Sequence, residues 1–164
     1  KNKNFKKKSS KSTTMTENLT PLCQINGGCM GCCGHDFISR EKIKEAIRLN
    51  TIEFENKSPR VKAQFLSFRD RAHPSDLRHG VCRNLIEKDG NIFCPLHPTL
   101  HDKDLRENHC DIKHLCGTAR KFAEWDSEKQ EKFISFVASK NIDNLEYSMG
   151  MDSGKLLEEF ENKH

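Results

Sequence analysis

Cys23-Gln24-Ile25-Asn26-Gly27-Gly28-Cys29-Met30-Gly31-Cys32-Cys33-Gly34 packs four thiols and four glycines into one short stretch. Thiolate sulfur is a soft donor suited to zinc and to iron–sulfur clusters. Glycine lets a backbone turn tightly around such a centre, because it accepts positive φ and adds no bulk. Four more cysteines follow, Cys82, Cys94, Cys110 and Cys116, so the chain has eight thiols. The stretch reads as a loop whose shape a metal dictates, with the remaining chain as its scaffold.

Outward from this loop, the pattern predicts a helix over 39–55, capped by Ser39 and buried along Ile43, Ala46 and Ile47. Ser58-Pro59 predicts the start of a second helix, with Val61, Phe65, Leu66 and Phe68 turned inward. Val81–Ile86 and Asn91–Cys94 flank Glu87-Lys88-Asp89-Gly90, and Asp-Gly between β-prone runs signals a hairpin. Cys82 and Cys94 then sit at its outer ends, close in space. A short helix is expected from Asp102 or Asp104, and another over 111–122. Ser127-x-x-Gln130 has capping-box form ahead of Phe133, Ile134, Phe136 and Val137. Asp143 and Asp152 are candidate caps of two final helices. The expected fold is therefore mainly α with a small β-hairpin, a compact cysteine-rich metal-binding domain. Residues 1–18 read as a disordered basic tail and 19–164 as one domain, with a cysteine core over 20–120 and C-terminal helices over 121–164.

A tetrahedral zinc site or a four-iron cluster takes four ligands from a compact region. All eight cysteines are candidate metal ligands: Cys23, Cys29, Cys32, Cys33, Cys82, Cys94, Cys110 and Cys116. Spacing alone leaves their partition open. Segregation assigns the first four to one centre; interleaving lets the hairpin cysteines complete a site begun in the loop. Two adjacent cysteines strain to reach one ion, which favours splitting Cys32 from Cys33 or using a multinuclear cluster. His35, His79, His97, His109 and His114 each lie within three residues of a cysteine, and His35 and His97 are the better candidates to replace a thiolate. Eight cysteines also fit four disulfides in an exported chain, although disulfide-dense domains are usually shorter.

The formal charge of +4 is concentrated at one end. Lys1, Lys3, Lys6, Lys7, Lys8 and Lys11 against Glu17 give residues 1–18 a net +5, so the remainder sums to −1. The body carries no nucleic-acid footprint, and only the tail could touch nucleic acid or anionic lipid. No stretch approaches the roughly 18 apolar residues of a membrane span, nor is there the apolar core of a secretory signal. Lys1 in place of Met suggests a fragment or a processed chain, with Met15 a candidate internal start. Phosphate-binding glycine-lysine and His-Glu-x-x-His motifs are absent.

Cys29-x2-Cys32-Cys33-Gly34, preceded by Cys23 and followed by spaced cysteines and the Cys94-Pro95-Leu96 step, resembles the zinc- or iron-chelating domain family named for its CxxCxxCC motif. The likeness spans roughly residues 20–120. The first spacing differs, with five residues between Cys23 and Cys29, and Cys110–Cys116 stands where that family has tyrosine, arginine, proline and cysteine. The resemblance implies a metal-binding protein with an iron–sulfur cluster, of the four-iron type, or zinc. That family's motif is similar to the one in flagellin lysine methylases, which implies a metal-dependent group-transfer enzyme acting on a protein or peptide as an alternative. Arg78, His79 and Arg83 beside Cys82 would then be candidate substrate contacts. A zinc-shaped interaction module for a protein partner is a further alternative. The expected compartment is the cytoplasm, whose reducing state keeps clustered thiols available to metal.

Overall fold

Two hydrophobic cores organise the chain, and the Cys23–Gly34 loop is shared between them. The computed structural model describes residues 19–163; the basic tail expected over 1–18 lies outside the described residues.

The first core forms on α1 (Arg40–Lys57). Ser39 Oγ accepts from the Lys42 amide at 3.3 Å, which satisfies a free N–H at the helix start. Ile43, Ala46 and Ile47, spaced by helical turns, bury against Val81, Leu85 and Ile92. Asn50, one turn further on, is fully buried and donates to the Cys82 and Leu85 carbonyls at 3.0 Å each, so its burial leaves no lost hydrogen bond there. Ser58 ends α1 in the left-handed region, at φ 41.

Two small antiparallel ladders face α1. β1 (Leu77–Arg78) pairs with β2 (Val81–Cys82), and β3 (Ile86–Lys88) pairs with β4 (Asn91–Phe93). The second turns on Asp89-Gly90, both at positive φ (52 and 78), as the sequence predicts. The first turns on His79-Gly80, also at positive φ (53 and 87), and was not anticipated. Cys82 therefore ends this earlier hairpin rather than opening the later one.

The second core belongs to α3 (Gly117–Ala123), α4 (Ser127–Ser139), α5 (Asn144–Asp152) and α6 (Lys155–Glu161). Phe133 and Phe160 meet edge to face at 5.2 Å, with Phe122, Trp125 and Phe136 around them. Burying each of these rings contributes roughly 2–3 kcal/mol.

The local expectations need several adjustments. α2 runs Lys62–Arg69, and Pro59 lies in the connector before it. Gln64 Oε1 accepts from the Arg60 amide at 2.7 Å and so sets its start. No helix follows Asp102 or Asp104; that segment is turns. The helix expected over 111–122 begins only at Gly117, because Cys116 caps it. α4 is capped by Asp126, one residue before the expected Ser127, and Gly154 rather than Asp152 precedes α6.

The loop is fastened to both cores. Tyr147 Oη donates to the Leu22 carbonyl (2.9 Å), and the Met30 amide donates to Ser148 Oγ (3.1 Å). Asn144 Nδ2 reaches the carbonyls of Gly27 (3.1 Å) and Gly90 (2.9 Å), while the Ile92 amide donates to Gly27 at 2.8 Å. Leu22, Cys29 and Cys32 pack with the second core, and Met30 and Cys33 with the first.

Candidate metal centre

Cys32 packs against the second core and Cys33 against the first, although both border one cavity, and their nearest thiols differ. Cys32 lies beside Cys23 and Cys116, and the Cys116 amide donates to Cys32 Sγ at 3.2 Å. Cys29 faces Cys32 and Cys116. The Tyr147 phenol, itself pushed upward by burial, stands within electrostatic reach of Cys29, Cys23, Cys116 and Cys32. On the other side, Cys33 faces Cys82, Cys94 and Cys110 as well as its neighbour Cys32, and Cys94 faces Cys82 and Cys110. Cys110 in turn faces Cys82. One set is thus Cys23, Cys29, Cys32 and Cys116; the other is Cys33, Cys82, Cys94 and Cys110.

The arrangement is interleaved: each set takes residues from the loop and from the downstream chain. Two glycines hold the Cys32-Cys33 step. A Cβ at Gly31 would stand 3.3 Å from the Met151 side chain, and one at Gly34 only 2.3 Å from the Gly80 carbonyl.

Main-chain amides repeatedly aim at sulfur. Gly31 N donates to Cys29 Sγ at 3.3 Å and Ala119 N to Cys116 Sγ at 3.5 Å. The amides of Asn84 and Leu85 serve Cys82, Leu96 serves Cys94, and Thr118 serves Cys116. In each case the donor follows the cysteine by two or three residues, in a turn. A neutral thiol is a weak acceptor and a thiolate a strong one. Such N–H···S contacts orient thiolate ligands and tune the metal they hold.

Burial pushes Cys29 and Cys94 up to about 12 and Cys110 up to about 11. It also raises Cys33 and Cys82. For Cys32 the hydrogen bond with Cys116 draws downward, but the contact with Cys23 and burial outweigh it, giving about 11. The bond to Cys32, then burial, raises Cys116. A nucleophilic cysteine needs its acidity moved the other way. Four such thiols can ionise together only around a cation that replaces their protons.

Two cavities of ≈ 280 Å³ adjoin the sulfurs. One is bordered by Cys23, Cys32, Cys33, Cys82, Cys94 and Cys110; the other by Cys23, Cys29, Cys33 and Cys94. All eight cysteines are free thiols. Among the described residues no group of three or more His, Cys, Asp or Glu converges to hold a single metal ion.

The histidines stand around this arrangement. His97 borders both cavities, and its Nδ1 lies 2.9 Å from Thr99 Oγ1; burial lowers its basicity. His35 is exposed and pairs with Asp36 at 2.8 Å. His109 is buried 3.6 Å from Asp70, and His79 stands 3.8 Å from Glu45.

Arg78 and Arg83, expected beside Cys82, turn to Glu53 together with Arg71. Arg71 Nε donates to Glu53 Oε2 (2.7 Å), and Arg78 Nη2 and Arg83 Nη2 reach Oε1 (2.5 and 3.5 Å). Arg83 also pairs with Asp76 at 3.2 Å. Burial pushes the Glu53 carboxyl up, but the bonds from Arg78 and Arg71 prevail and hold it low. A lowered carboxylate stabilises the fold fully above its ordinary range near 4.3, and loses that contribution as pH falls through its folded value. Glu53→Gln is expected to cost about 1–3 kcal/mol at pH 7, with the gap to the parent closing below about pH 4. Urea unfolding at both pH values measures this; an equal gap at both would contradict it.

No family model, no curated protein and no solved structure matches this chain. No helix among the described residues is long and apolar enough to cross a membrane.

Proposed function

We propose that this chain is a metal-binding protein with two metal–thiolate centres, one held by Cys23, Cys29, Cys32 and Cys116 and the other by Cys33, Cys82, Cys94 and Cys110, and that both hold iron–sulfur clusters. The observation that carries this reading is the packing of adjacent Cys32 and Cys33 against different cores, Cys32 with Cys29 and Cys116 and Cys33 with Cys82 and Cys94. The N–H donors aimed at sulfur support it, as does the all-thiol donor set. Four thiolates closing on one ion would suit zinc; the proposal of clusters rests on the all-thiol donors, since in a cluster each iron takes one thiolate. Clusters so held would supply one-electron redox chemistry, and the chain would work in a reducing compartment such as the cytoplasm.

Purification without oxygen, followed by iron, zinc and acid-labile sulfide analysis and a visible spectrum, tests this. The expected product is brown, with iron and sulfide in equal amounts. A colourless product with stoichiometric zinc would make the centres structural, and the same thiols free of all metal would overturn the reading.

A further inference from the structure

Two residues lining the cavity bordered by Cys82 and Cys110 each carry a hydrogen-bond donor with no partner among the described residues. Asn84 is 3% exposed. Its Oδ1 accepts from Arg71 Nη1 at 2.9 Å, which fixes the amide and leaves Nδ2 as the outward group. Among the described residues Nδ2 donates to nothing. It is not sealed off either, since Arg83 Nε is the one fully enclosed, unpartnered side-chain nitrogen or oxygen among the described residues. The open space that Asn84 borders is this cavity.

Arg106 is built in the same way. Its Nε and Nη2 hold Asp104 Oδ1 and Oδ2 at 2.8 and 2.7 Å, and both side chains are largely buried. That grip fixes the guanidinium plane, and Nη1 makes no hydrogen bond among the described residues. Arg106 borders this cavity and the neighbouring one, and acts on Cys94 and Cys110 of the second set. Among the described residues the only carboxylate on the lining is Asp111, which is exposed and accepts from the Lys113 amide. Leu77, Leu85, Leu96, Ile112 and Leu115 supply apolar wall.

We infer that this cavity binds a small organic carboxylate beside the Cys33–Cys82–Cys94–Cys110 centre, its oxygens received by Arg106 Nη1 and Asn84 Nδ2 and its carbon chain by the leucines and Ile112. A planar guanidinium is matched to a carboxylate head. Apolar walls with a few convergent polar groups are the form of a small-molecule site. The cavity, ≈ 280 Å³, is bordered by Cys33, Cys82, Cys94 and Cys110 as well, so the ligand is limited to the few carbons that fit alongside the metal they would hold. The placement beside a metal rests on the two-centre reading; the donor pair does not.

The test is calorimetric titration of acetate, butyrate, hexanoate and inorganic phosphate into the oxygen-free protein, with metal measured on the same sample. Carboxylates are expected to saturate one site and to bind more tightly as the chain lengthens. Asn84→Asp keeps an oxygen for Arg71 but replaces the donor with a negative charge, and is expected to weaken binding at least tenfold with the melting temperature unchanged or higher. Arg106→Gln should weaken it comparably, and Asn84→Asp remains decisive if that variant fails to fold. A metal-loaded parent that binds no carboxylate, or an Asn84→Asp chain that binds as the parent does, overturns the inference and leaves the two-centre reading intact. Phosphate binding as tightly as hexanoate overturns the carboxylate assignment. Carboxylate binding to a metal-free chain supports the donor pair and removes the metal beside it.

Discussion

Stripping metal from the oxygen-free protein with a chelator, in the presence of a thiol reductant, is expected to lower its melting temperature by more than about 10 °C. Much of the thiol-bearing chain lies outside regular secondary structure and is held by scattered hydrogen bonds, such as Met30 N to Ser148 Oγ and Arg69 Nη1 to the Leu105 carbonyl. Residues 24–39 and 101–116 contain no helix or strand, only turns, bends and irregular backbone. A metal that binds only the folded arrangement stabilises it by mass action. Structural metal sites commonly supply several kcal/mol, and for a chain of this length each kcal/mol moves the midpoint by about 2–4 °C. The loss should be uneven. The Phe122, Phe133, Phe136 and Phe160 rings share a core with Cys29 and Cys116 but pack chiefly on one another, so α4 and α6 are expected to keep more of their protection while protease cuts within 101–116. Differential scanning calorimetry and limited proteolysis of the two forms measure this. Equal midpoints and equal cleavage would show that the thiols hold nothing that matters to the fold.

Gly28→Ala should do comparable damage without touching a thiol. Gly28 has φ +97, and a Cβ there would fall 1.8 Å from the Ile92 carbonyl oxygen. The left-handed backbone alone costs an L-residue about 1–2 kcal/mol, and forcing the strand away adds roughly 1–3 kcal/mol. The midpoint should drop by roughly 10 °C. Gly27 is the control. It also has positive φ, +78, but its Cβ would meet only the Asn144 side chain at 3.4 Å. Gly27→Ala is therefore expected to cost only the backbone strain. Equal melting of the two variants would contradict the close approach of the loop to β4.

The periodic elements were legible in the sequence. α1 follows from Ser39 and the Ile43, Ala46, Ile47 spacing, and the β3–β4 turn from Asp89-Gly90. The β1–β2 hairpin was not, because its strands have two residues each and His79 occupies a positive-φ position that Asn or Asp usually signals. The start of α3 was misplaced because the cap is a cysteine, Cys116 Sγ accepting from Ala119; capping preferences favour Ser, Thr, Asp and Asn. The crowding of Cys32 against Cys33 pointed toward their division, but not to which downstream thiols each would meet. Those partners depend on how the two cores pack. Asn84 and Arg106 escaped notice for a similar reason: what they offer depends on what Arg71 and Asp104 already hold.

The most direct test of the two-set arrangement is metal and sulfide per chain in two double variants, Cys32→Ser/Cys116→Ser and Cys33→Ser/Cys82→Ser, each purified without oxygen beside the parent. The account predicts that each retains half of the parent's iron and sulfide, and that Cys32→Ser/Cys33→Ser retains none. One double variant keeping all of the metal while the other keeps none would contradict it, and would place a single centre where two are proposed.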